Sequence, residues 1–139
     1  MIYLAIPYTG REEFSFSLTT AIAAELSARG EVVYSPITHS HPMTKVRELP
    51  GDWEFWGNID REFIRACSKM YVICADGWAV STGVQAEIKI AKRIDRDYAE
   101  FNTGIDVFYL DVKKLESGSI SVSGLDIDEI VIDGSHLVR

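Results

Sequence analysis

The first 35 residues follow a strand–helix–strand pattern, which limits the fold more than any other feature of the chain. Residues 2–6 are all hydrophobic and stop at Pro7, as expected for a strand buried on both faces. Residues 11–29 carry apolar side chains at every fourth position, which predicts an amphipathic helix. These positions are Phe14, Leu18, Ile22 and Leu26. Residues 31–35 form a second strand that ends at Pro36. Such a crossover unit predicts a parallel sheet.

The rest of the chain continues the alternation of strands and helices. Residues 36–51 contain three prolines and no apolar period, so we interpret them as a long loop forming a lid or wall. The further predicted elements are a helix at 52–67 capped by Asp52, a strand at 70–74, a helix at 81–95 capped by Ser81, a strand at 107–110 and a short strand at 130–132. The prediction is one α/β domain over residues 1–139: an open, doubly wound, mainly parallel sheet of four to five strands with helices on both faces. Ligands of such sheets bind beyond the carboxyl ends of the strands.

The charge balance excludes several classes of partner. The chain has 14 Lys and Arg against 21 Asp and Glu, a net charge of −7, which is the wrong sign for binding a nucleic-acid polymer.

Cys67 and Cys74 lack CxxC spacing, so we interpret them as buried thiols in a reducing compartment. The N-terminal apolar run has no basic segment before it and is too short to span a bilayer. We therefore expect a cytoplasmic protein with no membrane partner.

Two acidic residues are predicted to point toward the core. Glu87 lies three residues after Val84 and four before Ala91, close to the inward stripe of its helix. Asp60 has a similar position on the preceding helix, four residues after Trp56 and three before Phe63. Burying two unpaired carboxylates is costly, so a polar pocket for acid–base or nucleophilic chemistry explains them better than a core does. The alternative is that both acids lie at the edge of the stripe and pair with Lys or Arg.

The predicted start of the third long helix suits an anion. Ser81 offers a hydroxyl beside free backbone amides, and Gly83 leaves room for a ligand to approach the backbone. The simpler interpretation is that Ser81 only caps the helix, and both roles are compatible. The sequence contains neither GxxxxGK[ST] nor GxGxxG, so a nucleoside triphosphate loop and a dinucleotide-binding fold are unsupported.

Aromatic and histidine side chains fall near the loops that should surround the site. Tyr8 follows the first strand directly, so its phenol is a site candidate, whereas Trp53 and Trp56 are better explained by core or lid packing. His39 and His41 are two potential metal ligands, but no third has suitable spacing. We expect no metal, and one histidine lining the pocket.

Three features together resemble the nucleoside 2-deoxyribosyltransferase superfamily. They are YLAIPY at residues 3–8, Asp60 on the second long helix and STGVQAE at residues 81–87. Three further segments are similar to a bacterial and phage branch of that superfamily known only as a domain of unknown function. They are SPITHSHP at 35–42, LPGDWEFW at 49–56 and DGW at 76–78. The resemblance covers residues 1 to about 111.

The resemblance implies a flavodoxin-like fold and a homodimer or higher homo-oligomer whose neighbouring subunit completes the pocket. By position, it makes Glu87 the nucleophile that attacks C1′, Asp60 its acid–base or positioning partner and Tyr8 the phenol that orients Glu87. In this superfamily, Ser rather than Asp six residues before the catalytic Glu is typical of 2′-deoxynucleoside 5′-monophosphate N-hydrolases. This chain has Ser81 there.

The resemblance also bears on the rest of the pocket. Arg11 would supply a counter-charge for the phosphate, and the segment containing Asp76 and Trp78 is inserted near the pocket. We also expect His39 to bind the substrate. After Glu87 the chain departs from the Leu-Gly usual in relatives, with Ile88 and Lys89, so the packing behind the acid should differ.

The sequence thus predicts an N-glycosidase that cleaves the base–sugar bond of a ribo- or 2′-deoxynucleoside 5′-monophosphate without a cofactor. Its partner is a small nucleotide or nucleoside. One alternative is base exchange by a nucleoside 2-deoxyribosyltransferase. Another is a non-catalytic sensor that binds a nucleotide or an ADP-ribose-like signal. A third is a structural α/β domain whose acids are salt-bridged.

Overall fold

The computed structural model describes residues 1–93 and 104–138, and within them the chain forms one six-stranded sheet with helices on both sides. The strands are β1 Ile2–Ala5, β2 Val33–Tyr34, β3 Lys69–Cys74, β4 Asp106–Lys114, β5 Ile120–Gly124 and β6 Ile127–Ile132. Their order is β2-β1-β3-β4-β5-β6; the first four are parallel, and β5 and β6 add antiparallel.

Four α-helices connect and cover the strands of the described ranges. They are α1 Glu12–Ala28, α2 Pro36–Thr44, α3 Trp53–Arg65 and α4 Thr82–Arg93, with short 3-10 turns at Trp78–Val80 and Gly134–His136. None of the helices in the described ranges combines the length and apolar character that crossing a bilayer requires.

The mixed α/β class and the mostly parallel sheet are confirmed, and two predicted details are wrong. The sheet has six strands rather than four to five, because residues interpreted as turns form β5. Residues 36–51 are not entirely loop, because Pro36–Thr44 forms α2. The predicted end of the last long helix, with Ile94 and Asp95, lies outside the described residues.

The alternation of side chains in β1 divides the core into two layers. Ile2 and Leu4 pack on one face with the apolar side of α1. Tyr3 and Ala5 point to the other face, where they meet residues of α3 and α4. Cys67 is a buried free thiol on this second face. The inward acids of α3 and α4 therefore lie on the face of β1 that packs against these two helices.

The strand order places a crevice at the carboxyl end of β1. The chain leaves β1 through α1 to reach β2 on one side, and later forms β3 on the other side of β1. Connections that depart in opposite directions leave a gap between the loops at the strand ends, where ligands of open α/β sheets bind.

Candidate active site

A cavity of about 380 Å³ opens at this crevice. Its walls come from the residues after β1, from α2, from residues 49–53, from α3 and from the first turns of α4. The volume lies in the range of pockets that hold a small organic ligand. Two of the helices that form it begin with side-chain caps: Asp52 Oδ1 accepts from the Phe55 amide at 2.9 Å, and Ser35 Oγ accepts from the Thr38 amide at 3.3 Å.

Both predicted acids line this cavity. Asp60 on α3 is 9% exposed and Glu87 on α4 is 6% exposed. The phenol of Tyr3 donates a hydrogen bond to Oε2 of Glu87. Among residues 1–93 and 104–138, no lysine or arginine forms an ion pair with either carboxylate. In the described part of the chain, therefore, the two acids are not neutralised by cationic side chains.

Burial changes the acidity of both groups. Loss of solvent raises the pKa of Asp60 from its ordinary value of 3.8 to about 7. The pKa of Glu87 is raised well above its ordinary value, first by burial and then by the negative charge of Asp60, whereas the hydrogen bond from Tyr3 lowers it. Burial and the same two acids raise the pKa of Tyr3, so its phenol keeps its proton and can only donate to Glu87. The cavity therefore has two acids with raised pKa values, and that of Asp60 lets it exchange its proton near neutral pH.

The hydrogen bond to Glu87 was predicted to come from Tyr8, and this prediction is wrong. Tyr3 lies on the face of β1 that packs against α3 and α4, where Glu87 is buried. Tyr8 lies beyond the end of β1 and lines the cavity, but its hydroxyl is 2.6 Å from Nδ1 of His41 on α2. A signal for Tyr3 was present, since it is the one phenol within an otherwise aliphatic strand.

The start of α4 forms another wall. Ser81 Oγ accepts a hydrogen bond from the Val84 amide at 3.3 Å, so this serine caps the helix as predicted. Ser81, Thr82 and Gly83 line the cavity, and a methyl group built on Gly83 would meet no atom within 4 Å. The capped turn thus faces open space on the ligand side.

Four residues predicted for the site do not line this cavity. Arg11 and Asp76 form an ion pair with each other, with Nη1 and Oδ2 3.3 Å apart. Trp78 packs against Tyr109 on β4, with ring centroids 5.5 Å apart. The ring centroid of His39 lies 6.0 Å from that of Tyr34. These four residues follow strand ends, as the site residues do, but they are not among the residues that line the cavity.

Trp53 and Trp56, by contrast, do line the cavity. The sequence predicts them only as lid or core packing, whereas both rings form part of the cavity wall. The indole nitrogen of Trp56 donates to the Pro50 carbonyl at 2.7 Å, which fixes the wall formed by residues 49–53. The cavity thus has an aromatic side in addition to its acidic one.

Residues 1–103 match the family described as a domain of unknown function (DUF1937). The chain belongs to this family. The matched region contains β1, β2, β3 and every residue that lines the cavity, whereas β4, β5 and β6 follow it. No curated protein matches the chain. The predicted resemblance to a family of unknown function is confirmed, and the wider superfamily is taken up below as a proposal.

Proposed function

We propose that this DUF1937 domain is an N-glycosidase that cleaves the base–sugar bond of a nucleoside 5′-monophosphate. We also propose that its sheet is flavodoxin-like and that it is a relative of the nucleoside 2-deoxyribosyltransferases. One observation carries the proposal: Asp60 and Glu87 are both buried, belong to different helices and line one ligand-sized cavity without a neutralising cation among the described residues. A purely structural role gives no reason for burying two ionisable carboxyl groups together.

We assign Glu87 as the nucleophile. Burial and the negative charge of Asp60 raise its pKa, and the hydrogen bond from the Tyr3 phenol opposes this rise by stabilising the ionised form that attacks. In the proposed reaction an oxygen of Glu87 attacks C1′, the bond from C1′ to the base nitrogen breaks, and a glycosyl ester of Glu87 forms. The negative charge also stabilises the positive character that develops at the sugar.

Asp60 has the environment of the proton carrier. Burial alone raises its pKa to about 7, so it is partly protonated at neutral pH. It gives its proton to the departing base, which leaves as a neutral molecule. The resulting carboxylate then takes a proton from water, the hydroxide attacks C1′ of the ester, and the free sugar phosphate and ionised Glu87 are released. Each turnover consumes one water and returns both acids to their initial states.

The remaining walls fit the other parts of a nucleotide. The first turn of α4 offers the amides of Thr82 and Gly83 and the hydroxyl of Ser81 to the 5′-phosphate, which the positive end of the helix dipole attracts. Trp53 and Trp56 provide apolar ring surface for a planar base. Arg11 is engaged with Asp76, so the described lining supplies the phosphate with hydrogen-bond donors rather than with a cation.

We further propose a homodimer or higher homo-oligomer in which a second copy completes the pocket. Phe55 and Ile59 lie one helical turn apart on α3 and are each 37% exposed. The same helix carries Trp56 and Asp60 of the cavity wall. A subunit packed on these exposed apolar side chains would therefore lie beside the open side of the site.

The direct test is incubation with a panel of ribo- and 2′-deoxynucleoside monophosphates, read by chromatography for liberated base. We expect wild type to release base and Glu87→Ala to lose activity by about a thousandfold or more, because the group that bonds to C1′ is gone. Glu54→Ala, which removes an exposed carboxylate of α3, is the matched control and should retain full activity.

Circular dichroism of each variant separates loss of chemistry from loss of fold. Equal base release by wild type and Glu87→Ala would refute the assignment. Adding an excess of a different free base distinguishes the related transfer reaction, since only a transferase converts that base into a new nucleotide.

A further inference from the structure

Tyr8 belongs to a chain of hydrogen bonds that leads from the cavity to the protein surface. Its hydroxyl oxygen is 2.6 Å from Nδ1 of His41, and Nε2 of His41 is 3.2 Å from Oε1 of Glu13. Lys45 completes the chain, with its ammonium group 2.6 Å from the same oxygen of Glu13. Tyr8 lies in the loop after β1, Glu13 in α1 and His41 in α2, and Lys45 directly follows α2. The reaction proposed above uses none of them.

The direction of these hydrogen bonds follows from the charge at the outer end. The hydrogen bond from Lys45 lowers the pKa of Glu13, so Glu13 is a carboxylate that can only accept. In a neutral imidazole, Nε2 of His41 must then carry the hydrogen and donate it to Glu13. Nδ1 is left as an acceptor, and in the described part of the chain the donor to it is the phenol of Tyr8, whose pKa is raised by burial.

The imidazole is held firmly in this position. His41 is 3% exposed, and its ring stacks on Phe16 with centroids 4.6 Å apart. The hydroxyl of Thr44 donates to the His41 carbonyl at 2.6 Å, which ties the end of α2 to the same position. With His41 neutral, the phenol proton of Tyr8 is committed to Nδ1. The nearby Thr44 hydroxyl gives its own hydrogen to the His41 carbonyl, so the remaining lone pair of Tyr8 can accept a hydrogen bond from a ligand in the cavity that it lines.

We propose that Tyr8 is a specificity-determining residue whose oxygen, oriented by His41 and Glu13, accepts a hydrogen bond from a donor group of the bound nucleotide. The donor is a sugar hydroxyl or an exocyclic amino group of the base. The inference rests on the proposed function and deepens it, because it selects nucleotides that present a donor at this wall. A site built around a fixed acceptor discriminates against analogues that place an acceptor there, since two lone pairs would then face each other.

The test compares substrates that differ in one donor. Deoxyadenosine and deoxyinosine monophosphates differ in an amino group, and deoxy- and dideoxyadenosine monophosphates differ in the 3′-hydroxyl, so the two pairs separate the two sources. One of the two pairs differs in the group that donates to Tyr8. For that pair, we expect wild type to have the higher kcat/KM for the substrate that carries the group, and Tyr8→Phe to reduce this preference by about tenfold. Glu13→Gln should reduce it partially, because a glutamine amide can also donate to Nε2 and no longer fixes the tautomer.

Glu12→Gln is the matched control: it makes the same charge change one residue away, without contact to His41, and should leave the preference unchanged. The NMR spectrum of the imidazole nitrogens at about pH 8 gives a readout independent of activity, and we expect hydrogen on Nε2 of His41. Hydrogen on Nδ1 instead would overturn the inference.

The remaining outcomes separate this inference from the proposed function. If wild type releases base but Tyr8→Phe keeps every substrate preference, the inference fails and the N-glycosidase proposal stands. If wild type neither cleaves nor binds any nucleotide, the proposed function fails and the inference fails with it.

Discussion

At the level of a single residue, burial of the Asp60 carboxyl group carries a cost in stability, which its proposed chemical role would explain. Its carboxyl group has a pKa of about 7 in the folded protein against 3.8 ordinarily, so it is easier to protonate when folded. Below about pH 4 the group is protonated in both the folded and the unfolded state, so it does not lower the free energy of unfolding. Between about pH 4 and 7 the unfolded chain ionises first, so stability falls as the pH rises, and above about pH 7 the full penalty is present.

We predict that Asp60→Asn stabilises the protein at pH 8 by roughly 2–4 kcal/mol relative to wild type and leaves it nearly unchanged at pH 4. The amide has the same shape and no charge to desolvate. The measurement is urea unfolding of both proteins at the two pH values. Asp128→Asn, at an exposed position of β6, controls for the change in net charge. A variant that is no more stable than wild type at pH 8 would show that Asp60 is not held in a penalised environment.

The same replacement has the opposite effect on activity. In the proposed reaction the departing base takes a proton that an asparagine cannot carry, so we expect Asp60→Asn to lower kcat by at least about a hundredfold. The expected combination of higher stability and lower activity distinguishes a working acid from a structural one. It is checked by measuring base release on the samples used for unfolding.

Single residues also show what the sequence could and could not predict. The inward direction of Asp60 and Glu87 follows from helical spacing, which is local, and the structure confirms it. The partner of Glu87 does not follow from spacing. Tyr3 and Tyr8 both belong to the first strand region, and the choice between them depends on which face of β1 receives α3 and α4. That is decided by packing between elements distant in the sequence.

At the level of elements, the first turn of α4 has an observed role as a helix cap and a proposed role as a phosphate site, and one substitution can separate the two. Ser81 caps the helix and faces the cavity. Aspartate is as good a cap as serine, but its charge opposes a phosphate. We predict that Ser81→Asp keeps the free energy of unfolding within about 0.5 kcal/mol and lowers kcat/KM for monophosphates at least tenfold more than for the corresponding free nucleosides.

Ser81→Asn is the matched control, because asparagine is an equally good cap without the charge. It should preserve the preference for monophosphates. Steady-state kinetics on each nucleotide and its nucleoside give the ratio directly. An unchanged ratio in Ser81→Asp would remove this turn from the phosphate site and leave the acids unaffected.

Two elements escaped prediction for identifiable reasons. In α2 only Pro36 and His41 are buried, so no apolar stripe marks the helix, and Pro42 in its interior argues against one. Its local signal is the cap Ser35 followed by proline at the first helical position. In β5 the serines favour a turn, whereas Ile120 and Val122, which alternate with them and are both buried, are typical of a strand.

For the whole molecule, charge and exposed apolar surface have opposite effects on self-association. Each chain carries a net charge of −7, so copies repel one another at low salt. Phe55 and Ile59 nevertheless expose part of their apolar side chains on α3, beside the cavity wall. If a second copy completes the site, salt should favour both assembly and activity, because it screens the repulsion and leaves the apolar contact in place.

We predict a homodimer or higher oligomer by light scattering, with a larger assembled fraction at about 0.5 M than at 0.02 M salt. The double variant Phe55→Glu, Ile59→Glu should be monomeric and lose at least tenfold in kcat/KM, because it adds four charges to each dimer interface and leaves the pocket incomplete. Leu125→Glu, at a fully exposed apolar side chain in the β5–β6 turn, should change neither property. Monomeric wild-type protein with full base release would show instead that the cavity needs no second copy. The walls formed by α2, α3 and α4 of one chain would then bind the nucleotide alone.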